Sequence, residues 1–434
     1  MSNPIHSTSA KSVLPMLAMR GLATGLCAGC VVGLLRLSHD RAAARVALWL
    51  EEWREVWWTV PIWFGVLVAL AVILRRIVRE EPLISGSGIP QTELALAGRL
   101  SFTWWRVLLA KFLGSWLALF GGLALGREGP SIQMGGAVGA GFHALWRPAA
   151  PHALTGSPYV VAGAVAGLAA AFGAPAAGGL FAFEEMKSRR DTSLIVAACA
   201  SAIGAHLMIR IVFGMGRILP FAGFEAPPLS SFWIVALEGA VFGVLGVGYN
   251  KTLLWLHDRE AGQTLIPDRW RALPPLLLAG CLALFAPLLI GGGESLIIFV
   301  GEHDVALKTL ILLLAFKYLF AQYSTVASIP GGLLMPILCL GALWGRLWAE
   351  LPVSALAAHG LASGSVQPYV LFGMVSYFAA TVRAPLTGIV LVTEMSGTYT
   401  CLPGSLLAGL IACKVANLLH CPPVYDSLKE RIRL

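Results

Sequence analysis

The stretch at residues 126–139 reads GREGPSIQMGGAVG, and a related pattern, GLLMPILCLGALWG, occupies residues 332–345. The positions that match are Gly126, Pro130, Gly135 and Gly139 in the first stretch and Gly332, Pro336, Gly341 and Gly345 in the second. A second pair, APAAGGLFAFE from Ala174 and APLTGIVLVTE from Ala384, follows in the same order at nearly the same separation. Two such pairs predict a duplicated chain, with repeat halves at approximately residues 13–214 and 230–420.

The composition around these patterns is that of a membrane protein. Hydrophobic residues make up 57% of the 434 positions and charged residues only 12%, whereas soluble globular domains carry about 25% charged residues. Apolar stretches that approach the ~20 helical residues needed to cross a bilayer recur from residues 14–35 to residues 402–419. We therefore expect an all-α, multi-pass protein with residues 1–434 in a single transmembrane domain, residues 421–434 as a short C-terminal segment and no soluble domain.

The basic residues are arranged for a membrane surface rather than for nucleic acid, although the formal net charge is +8. They cluster at the ends of apolar segments, as in loops that face an anionic cytoplasmic leaflet. The clusters are Arg75, Arg76 and Arg79, then Lys187, Arg189 and Arg190, and finally Lys429, Arg431 and Arg433. We expect the lipid bilayer, and no nucleic acid, as a partner.

Three glycine- and proline-rich breaks interrupt the apolar segments, GSGIP at 86–90, GREGP at 126–130 and PGGLLMP at 330–336. A single break of this kind usually marks a kink or a close-packing point. Three breaks together with a duplication are typical of transporters whose site lies between the repeats near the bilayer midplane. Since helix N-termini expose free N–H groups and the positive end of the dipole, we expect broken, re-entrant helices that start at these breaks to bind an anion.

Glu128 lies in the second break, next to an apolar segment, where a charged side chain is energetically expensive. It could pair with Arg127, but adjacent residues on a helix point in different directions. If its carboxylate instead occupies the N-terminal cage, it excludes an anion until protonation releases it. Glu128 is therefore the candidate group that couples proton movement to anion movement.

Glu184 and Glu185 end an apolar segment, and on their own they suit an acidic pair at the membrane interface. Glu394 repeats Glu184 in the second half, whereas Met395 occupies the position equivalent to Glu185. A proton that travels from Glu128 towards the cytoplasm needs a second titratable group. This requirement makes Glu185 a candidate for proton transfer.

GSGIP, GREGP, the PGGxxxP break and RAPLTGIVLVTEM, in this order over approximately residues 60–428, resemble the CLC family of chloride channels and transporters. The resemblance implies two inverted-topology repeats and a homodimer in which each subunit has its own pathway. It also implies chloride and protons as the transported ions. Because no room remains for cytoplasmic nucleotide-sensing domains, we expect a prokaryotic type in the bacterial inner (plasma) membrane.

By this resemblance, the hydroxyl groups of Ser87 and Tyr425 and the backbone N–H groups of Leu333 and Leu334 bind the central anion. Without the resemblance, Tyr425 would be interpreted as an aromatic residue of the membrane interface. Ser87 is typical of members that prefer chloride. Leu334 stands where many members have phenylalanine, a difference that could change pore width or gating.

The resemblance also assigns roles to the charged residues. Glu128 matches the gating glutamate, and Arg127 and Gly129 frame it as further anion-site residues. Glu185 matches the intracellular proton-transfer glutamate that exchangers carry and channels generally lack. Gln91 follows Pro90 where glutamate is common, which affects none of these assignments.

The leading interpretation is a secondary active transporter that exchanges chloride for protons, and the alternative is a passive chloride channel of the same architecture. A membrane enzyme would need a nucleophile beside a base, or clustered metal ligands. The nine histidines form no pair at helical spacing, and Cys27 and Cys30 are the only close pair among eight cysteines. We therefore expect no enzymatic activity, no metal site and no cofactor.

Overall fold

The computed structural model describes residues 5–53, 56, 58–150, 152–186, 191–221, 224–358 and 366–432. The basic residues Lys187, Arg189, Arg190 and Arg433 lie outside this set. Within it the chain forms helices, and its only β-type pairing is one isolated bridge between Gly126 and Gly332. The predicted all-α class is confirmed for the described residues.

The helices follow one another in two series of similar order. The first series is α1 (Ile5–Trp53), α2 (Thr59–Glu80), α3 (Ile89–Leu96), α4 (Trp104–Phe120), α5 (Glu128–Trp146), α6 (Pro158–Phe172), α7 (Pro175–Glu184) and α8 (Thr192–Leu207). The second is α9 (Phe232–Gly262), α10 (Leu273–Phe285), α11 (Glu294–Glu302), α12 (Leu307–Val326), α13 (Leu334–Trp348), α14 (Ser354–Ala358), α15 (Gln367–Val382), α16 (Pro385–Ser396), α17 (Leu402–Leu418) and α18 (Val424–Glu430).

Seven helices of the described chain are long and apolar enough to cross a membrane. Others, such as α6 and α16, are apolar but shorter than the ~20 residues of a full crossing. The glycine and proline breaks are the reason, because they end one helix and start the next within an apolar stretch. A multi-pass protein with broken helices is the architecture that the sequence predicted.

The glycines that revealed the duplication are sites where helices cross closely. A Cβ atom on Gly163 of α6 would lie 2.8 Å from the carbonyl carbon of Gly135 in α5. In the second series, a Cβ atom on Gly341 of α13 would lie 2.6 Å from the carbonyl oxygen of Gly373 in α15. Small residues at such crossings let the backbones of membrane helices approach each other. The matched glycines are therefore explained by the same helix packing in both halves.

Two fully buried lysines make equivalent contacts in the two halves. Lys111 of α4 and Lys317 of α12 each donate two hydrogen bonds from Nζ to the carbonyl groups of a glycine-containing loop. The acceptors are Ile84 (2.8 Å) and Gly86 (2.7 Å) for the first, and Leu289 (2.9 Å) and Gly291 (2.7 Å) for the second. Each lysine thus satisfies carbonyl groups that no helix pairs at membrane depth.

The halves also cap each other's helices. Glu184, at the end of α7, accepts hydrogen bonds from the backbone N–H groups of Leu386 (3.1 Å) and Thr387 (2.6 Å) in the first turn of α16. In turn, Glu394 of α16 accepts hydrogen bonds from the backbone N–H groups of Ala176 (3.2 Å) and Ala177 (2.9 Å) in the first turn of α7. A carboxylate at a helix N-terminus satisfies free donors and complements the helix dipole. Glu184 is therefore a reciprocal helix cap, a role that its interpretation as half of an interfacial acidic pair did not include.

The C-terminal helix α18 is fastened to the rest of the protein by ion pairs. Arg431 binds Asp258 of α9 through two hydrogen bonds of 2.8 and 3.0 Å. Lys429 binds Glu93 of α3 and lies 3.0 Å from Asp426 in its own helix. These contacts fix the orientation of α18, and with it the position of Tyr425 in its first turn.

Loss of one reciprocal cap is expected to destabilise the pairing of the two halves. Glu394→Ala removes both hydrogen bonds to the first turn of α7, which should cost about 1 kcal/mol or more. Thermal unfolding in detergent, followed by tryptophan fluorescence, measures the effect. The matched control is Glu302→Ala, at an exposed position that ends α11. Equal stability of the two variants would contradict the capping role.

Candidate functional site

The three breaks predicted from the sequence meet in the interior of the protein. Gly126 and Gly332 exchange two backbone hydrogen bonds, of 2.7 Å from the N–H of Gly126 and 2.6 Å from the N–H of Gly332. The N–H of Gly331 donates to the carbonyl of Gly86 at 3.0 Å. The breaks therefore form one continuous backbone junction, as expected if they surround a shared site.

Helices begin at this junction without a capping side chain on the N-cap residue. The first residues of α3, α5 and α13 are Ile89, Glu128 and Leu334, and the residues before them make no side-chain cap hydrogen bond. Leu333 precedes α13, and both Leu333 and Leu334 are only 1% exposed. Buried, uncapped N-termini leave N–H groups available to a bound anion.

Ser87 and Gly129 are in direct contact. Ser87 is buried, and its Oγ accepts a hydrogen bond from the N–H of Ile89 at 3.3 Å. A Cβ atom on Gly129 would lie only 2.7 Å from this Oγ and 2.9 Å from the Ser87 carbonyl oxygen. Glycine is required at 129 because the backbone of α5 approaches the GSGIP break so closely.

Tyr425 completes the cluster from the C-terminal helix. Its side chain is fully buried, and its hydroxyl lies beside Ser87 without forming a hydrogen bond of normal geometry to any described residue. The hydroxyl is also within electrostatic range of Glu128 and Glu185. A buried hydroxyl with unused hydrogen-bonding capacity can donate to an anion at the junction.

Glu128 is fully buried at the same junction. A Cβ atom on Gly126 would overlap its carboxylate, which explains the glycine at that position. The nearest donors are the backbone N–H groups of Glu128 itself and Met335, but neither carboxylate oxygen makes a well-formed hydrogen bond with a described residue. The carboxylate therefore lies at the start of α5 and α13, in the region that these N-termini make favourable for an anion.

The Arg127 side chain is paired with carboxylates other than that of Glu128. Its guanidinium group binds Asp40 of α1 at 2.9 Å and Glu294 of α11 at 2.8 Å. Arg127 is only 5% exposed, so these two carboxylates balance a charge that is almost fully desolvated. The alternative of an ion pair between Arg127 and Glu128 is wrong. Since the guanidinium is engaged, any contribution of Arg127 to anion binding is left to its backbone.

A cavity of about 570 Å³ extends to Glu128. Its lining includes His39, Asp40, Arg127, Glu128, Glu294 and Met335. The Asp40 side chain is 54% exposed and the Glu294 side chain 33% exposed, so the cavity has an acidic entrance. Glu128 also lines this cavity, although its side chain is fully buried.

Glu185 lies at the end of α7 and is 6% exposed. It is an electrostatic neighbour of Tyr425, as is Glu128. The structure thus brings both candidate glutamates close to the same tyrosine, although they are far apart in the sequence. This arrangement suits a proton route that bypasses the anion, with one titratable group at each end.

Three supporting residues were not among the sequence-based candidates. Lys111 holds the carbonyl of Gly86, directly before Ser87, while Asp40 and Glu294 hold Arg127. A lysine inside the apolar segment 107–125 was a usable signal, because ionisable residues at membrane depth are rarely incidental. The two carboxylates lie at segment ends, where the sequence gives no reason to single them out.

The chain is similar to known anion transporters over nearly its whole length. Residues 64–417 match the family described as "Voltage gated chloride channel". The H(+)/Cl(-) exchange transporter ClcA of Vibrio campbellii is 35% identical over 416 residues, which cover 93% of this chain and 87% of that protein. The protein of the same name from Klebsiella pneumoniae is 31% identical over 428 residues, which cover 97% and 89%.

Solved structures agree with these relatives. A slow cyanobacterial Cl−/H+ antiporter superposes with a TM-score of 0.86 at 28% identity, over 95% of this chain and 97% of that one. A CLC-type fluoride/proton antiporter superposes with a TM-score of 0.71 at 20% identity, over 95% and 98%, and this likeness concerns the fold alone. The CLC fold, with its inverted-topology repeats and broken helices, is thereby confirmed, and the chain belongs to the CLC family of voltage gated chloride channels and transporters.

Proposed function

We propose that this protein is a secondary active transporter that exchanges chloride for protons, with Glu128 as the gate. The observation that carries the proposal is the buried Glu128 carboxylate at the helix N-termini, between the cavity and Ser87 with Tyr425. The names of the relatives, which are chloride/proton exchangers, support exchange over passive conduction.

The anion site in this proposal is a cage of neutral donors. The hydroxyl groups of Ser87 and Tyr425 and the backbone N–H groups of Leu333 and Leu334 bind chloride, and Gly129 allows the close backbone approach that forms the cage. No free cation is needed, since partial positive charges at helix N-termini attract an anion. A cage without a formal charge holds chloride loosely enough to release it in each transport cycle.

Coupling follows from competition for one location. An ionised Glu128 carboxylate and a chloride ion both favour the N-termini of α5 and α13, and they repel each other at short range. Protonation removes the charge of Glu128, so the side chain leaves the cage and chloride enters. Each exchange of carboxylate for chloride therefore requires the uptake or release of a proton.

Glu185 is the second proton-transfer group in the proposal. It gives the proton an exit on the cytoplasmic side that does not pass through the chloride site. Its burial and its proximity to Tyr425 support this role, since a proton-accepting group near the pathway must exchange with both the interior and solvent.

We also propose a homodimer in a bacterial inner membrane. Large apolar side chains are exposed on α8 and α17, namely Ile195, Ile203, Leu207, Leu406 and Leu410. These side chains suit either lipid or a second subunit. The bacterial origin of the relatives supports the membrane assignment.

Removal of the gate carboxylate should separate the two fluxes. In proteoliposomes, Glu128→Ala is expected to lower proton transport to the level of empty liposomes while chloride flux persists, because nothing remains to carry a proton at the cage. Glu128→Gln, which keeps the shape but not the charge, should also lose proton transport. Chloride- and pH-sensitive electrodes measure the two fluxes in parallel.

The exposed residue Glu302 provides the control for this experiment, since Glu302→Gln should leave both fluxes coupled. Proton transport that persists in Glu128→Ala would refute the gate assignment. A chloride gradient that drives no uphill proton movement in the wild-type protein would instead identify a passive channel.

Replacement of the second glutamate should give a related but distinguishable result. Glu185→Gln is expected to abolish proton transport and to retain chloride flux, with Glu128 still competing for the cage. Chloride binding in this variant should therefore match the wild type, as measured by isothermal titration calorimetry. Wild-type proton flux in Glu185→Gln would remove this residue from the pathway.

The tyrosine hydroxyl should contribute directly to anion affinity. Because a hydrogen bond to a charged group is worth about 1.5–3 kcal/mol, Tyr425→Phe is expected to weaken chloride binding about tenfold or more. Tyr369→Phe is a matched control, since Tyr369 is also fully buried with a hydroxyl that bonds to no described residue. Equal chloride affinity of the two variants would show that Tyr425 is not an anion ligand.

A further inference from the structure

One face of α2 carries exposed apolar side chains that suit contact with lipid, and arginine follows them at the end of the helix. Ile62, Val66 and Ile73 lie at helical spacing on this face, with Val72 beside them, and the four side chains are 37–55% exposed. Arg76 continues the same stripe, and its side chain is 80% exposed. An apolar stripe that changes to arginine within one turn matches the boundary between lipid chains and headgroups.

A pocket of about 440 Å³ lies at this boundary. It is lined by Val72, Arg75, Arg76, Arg79, Arg269 and Trp270. The last two residues belong to the turn between α9 and α10, so the pocket joins the end of α2 to a second part of the chain. Four arginine side chains and Trp270 therefore line a space that lies next to an apolar surface.

The pocket keeps an excess of positive charge after its internal ion pairs are counted. Asp268 binds Arg75 and lies 3.5 Å from Arg79, and Glu80 lies 3.0 Å from Arg76. The hydrogen bond from Arg75 holds the pKa of the Asp268 carboxyl below its ordinary value, so this residue stays charged. Two carboxylates thus offset four arginines.

Two of the arginines have unused donors. The Arg75 side chain is only 9% exposed, and its Nε bonds to no described residue. Arg269 lies over the Trp270 ring at 6.0 Å and forms no ion pair within the described chain. A nearly buried guanidinium with a free donor is costly unless a ligand or water satisfies it.

The pocket shares its side of the membrane with Arg431 of the C-terminal basic cluster. Arg271, next to the pocket, lies 4.0 Å from Glu260 at the end of α9. Two residues earlier, Asp258 of the same helix binds Arg431 of the C-terminal segment. By the distribution of arginine and lysine, this is the cytoplasmic side, where anionic lipids are abundant.

We propose that this pocket binds the phosphate headgroup of an anionic phospholipid of the cytoplasmic leaflet. The arginine forks donate to the phosphate oxygens, Trp270 lies at the level of the headgroup, and an acyl chain follows Val72 and Ile73 along α2. The continuous apolar stripe below the arginines favours a lipid over a free phosphate ion, which would leave that surface unused. The bound lipid links α2 to the turn before α10.

Lipid binding to the delipidated full-length protein tests the proposal. Native mass spectrometry would compare phosphatidylglycerol with phosphatidylcholine for the wild type, for Arg76→Gln with Arg269→Gln, and for a control with Arg99→Gln and Arg147→Gln. The control removes the same charge from two exposed arginines that do not line the pocket. At about fivefold per basic residue, the pocket variant should bind phosphatidylglycerol about thirtyfold more weakly, and the control should bind it as the wild type does.

Three results would overturn the proposal. The first is equal affinity of the wild type for the two lipids. The second is an equal loss of phosphatidylglycerol binding in the pocket and control variants. The third is full displacement of phosphatidylglycerol by inorganic phosphate, which would identify a free-phosphate site. Size-exclusion chromatography checks that each variant is folded. If the double variant does not fold, Arg269→Gln alone replaces it, since this residue is exposed in a turn. This single variant should bind phosphatidylglycerol about fivefold more weakly than the wild type, and unchanged binding would overturn the proposal.

Discussion

The structure depends on backbone groups that must be satisfied inside a membrane without a continuous helix. At membrane depth an unpaired N–H or C=O group costs several kcal/mol. The three breaks solve this problem by bonding to each other, through Gly126 with Gly332 and Gly331 with Gly86, while Lys111 takes the remaining Gly86 lone pair. Once these groups are paired, the free donors left at the junction are the helix N-termini. The proposed anion cage is what remains when the rest of the broken backbone is satisfied.

The two halves share their architecture but not their chemistry. Lys111 and Lys317 make the same contacts, and Glu184 and Glu394 cap each other's partner helices. In the matched patterns, however, Glu128 of the first half corresponds to Leu334 of the second. One half therefore supplies a titratable side chain at the junction, and the other supplies a helix N-terminus with an apolar side chain. In the proposed mechanism the two halves form the cage together, and the difference at this one position provides a single gate within it.

The sequence predicted the parts of the site that depend on local chemistry. Glycine and proline spacing located the breaks, and the duplication indicated that they meet, because matched halves pack around a common site. The partners of Arg127 could not be predicted in the same way. Asp40 and Glu294 are 87 and 167 residues away along the chain, and only the packing of α1 and α11 brings them to the guanidinium. The capping role of Glu184 could not be predicted for the same reason, because the N–H groups that donate to its carboxylate belong to a helix in the other half.

The partners of Arg127 bear on how a fast anion pathway can pass beside an arginine. A free guanidinium at the junction would bind chloride strongly and would hold the ionised Glu128 carboxylate in a stable ion pair. Asp40 and Glu294 prevent both outcomes because their carboxylates, which also line the cavity, form ion pairs with the guanidinium group. In the proposed mechanism the carboxylate and the anion then compete for neutral donors, and one proton on Glu128 decides which of them occupies the cage. The neutralised arginine is therefore as important to the proposed coupling as the glutamate.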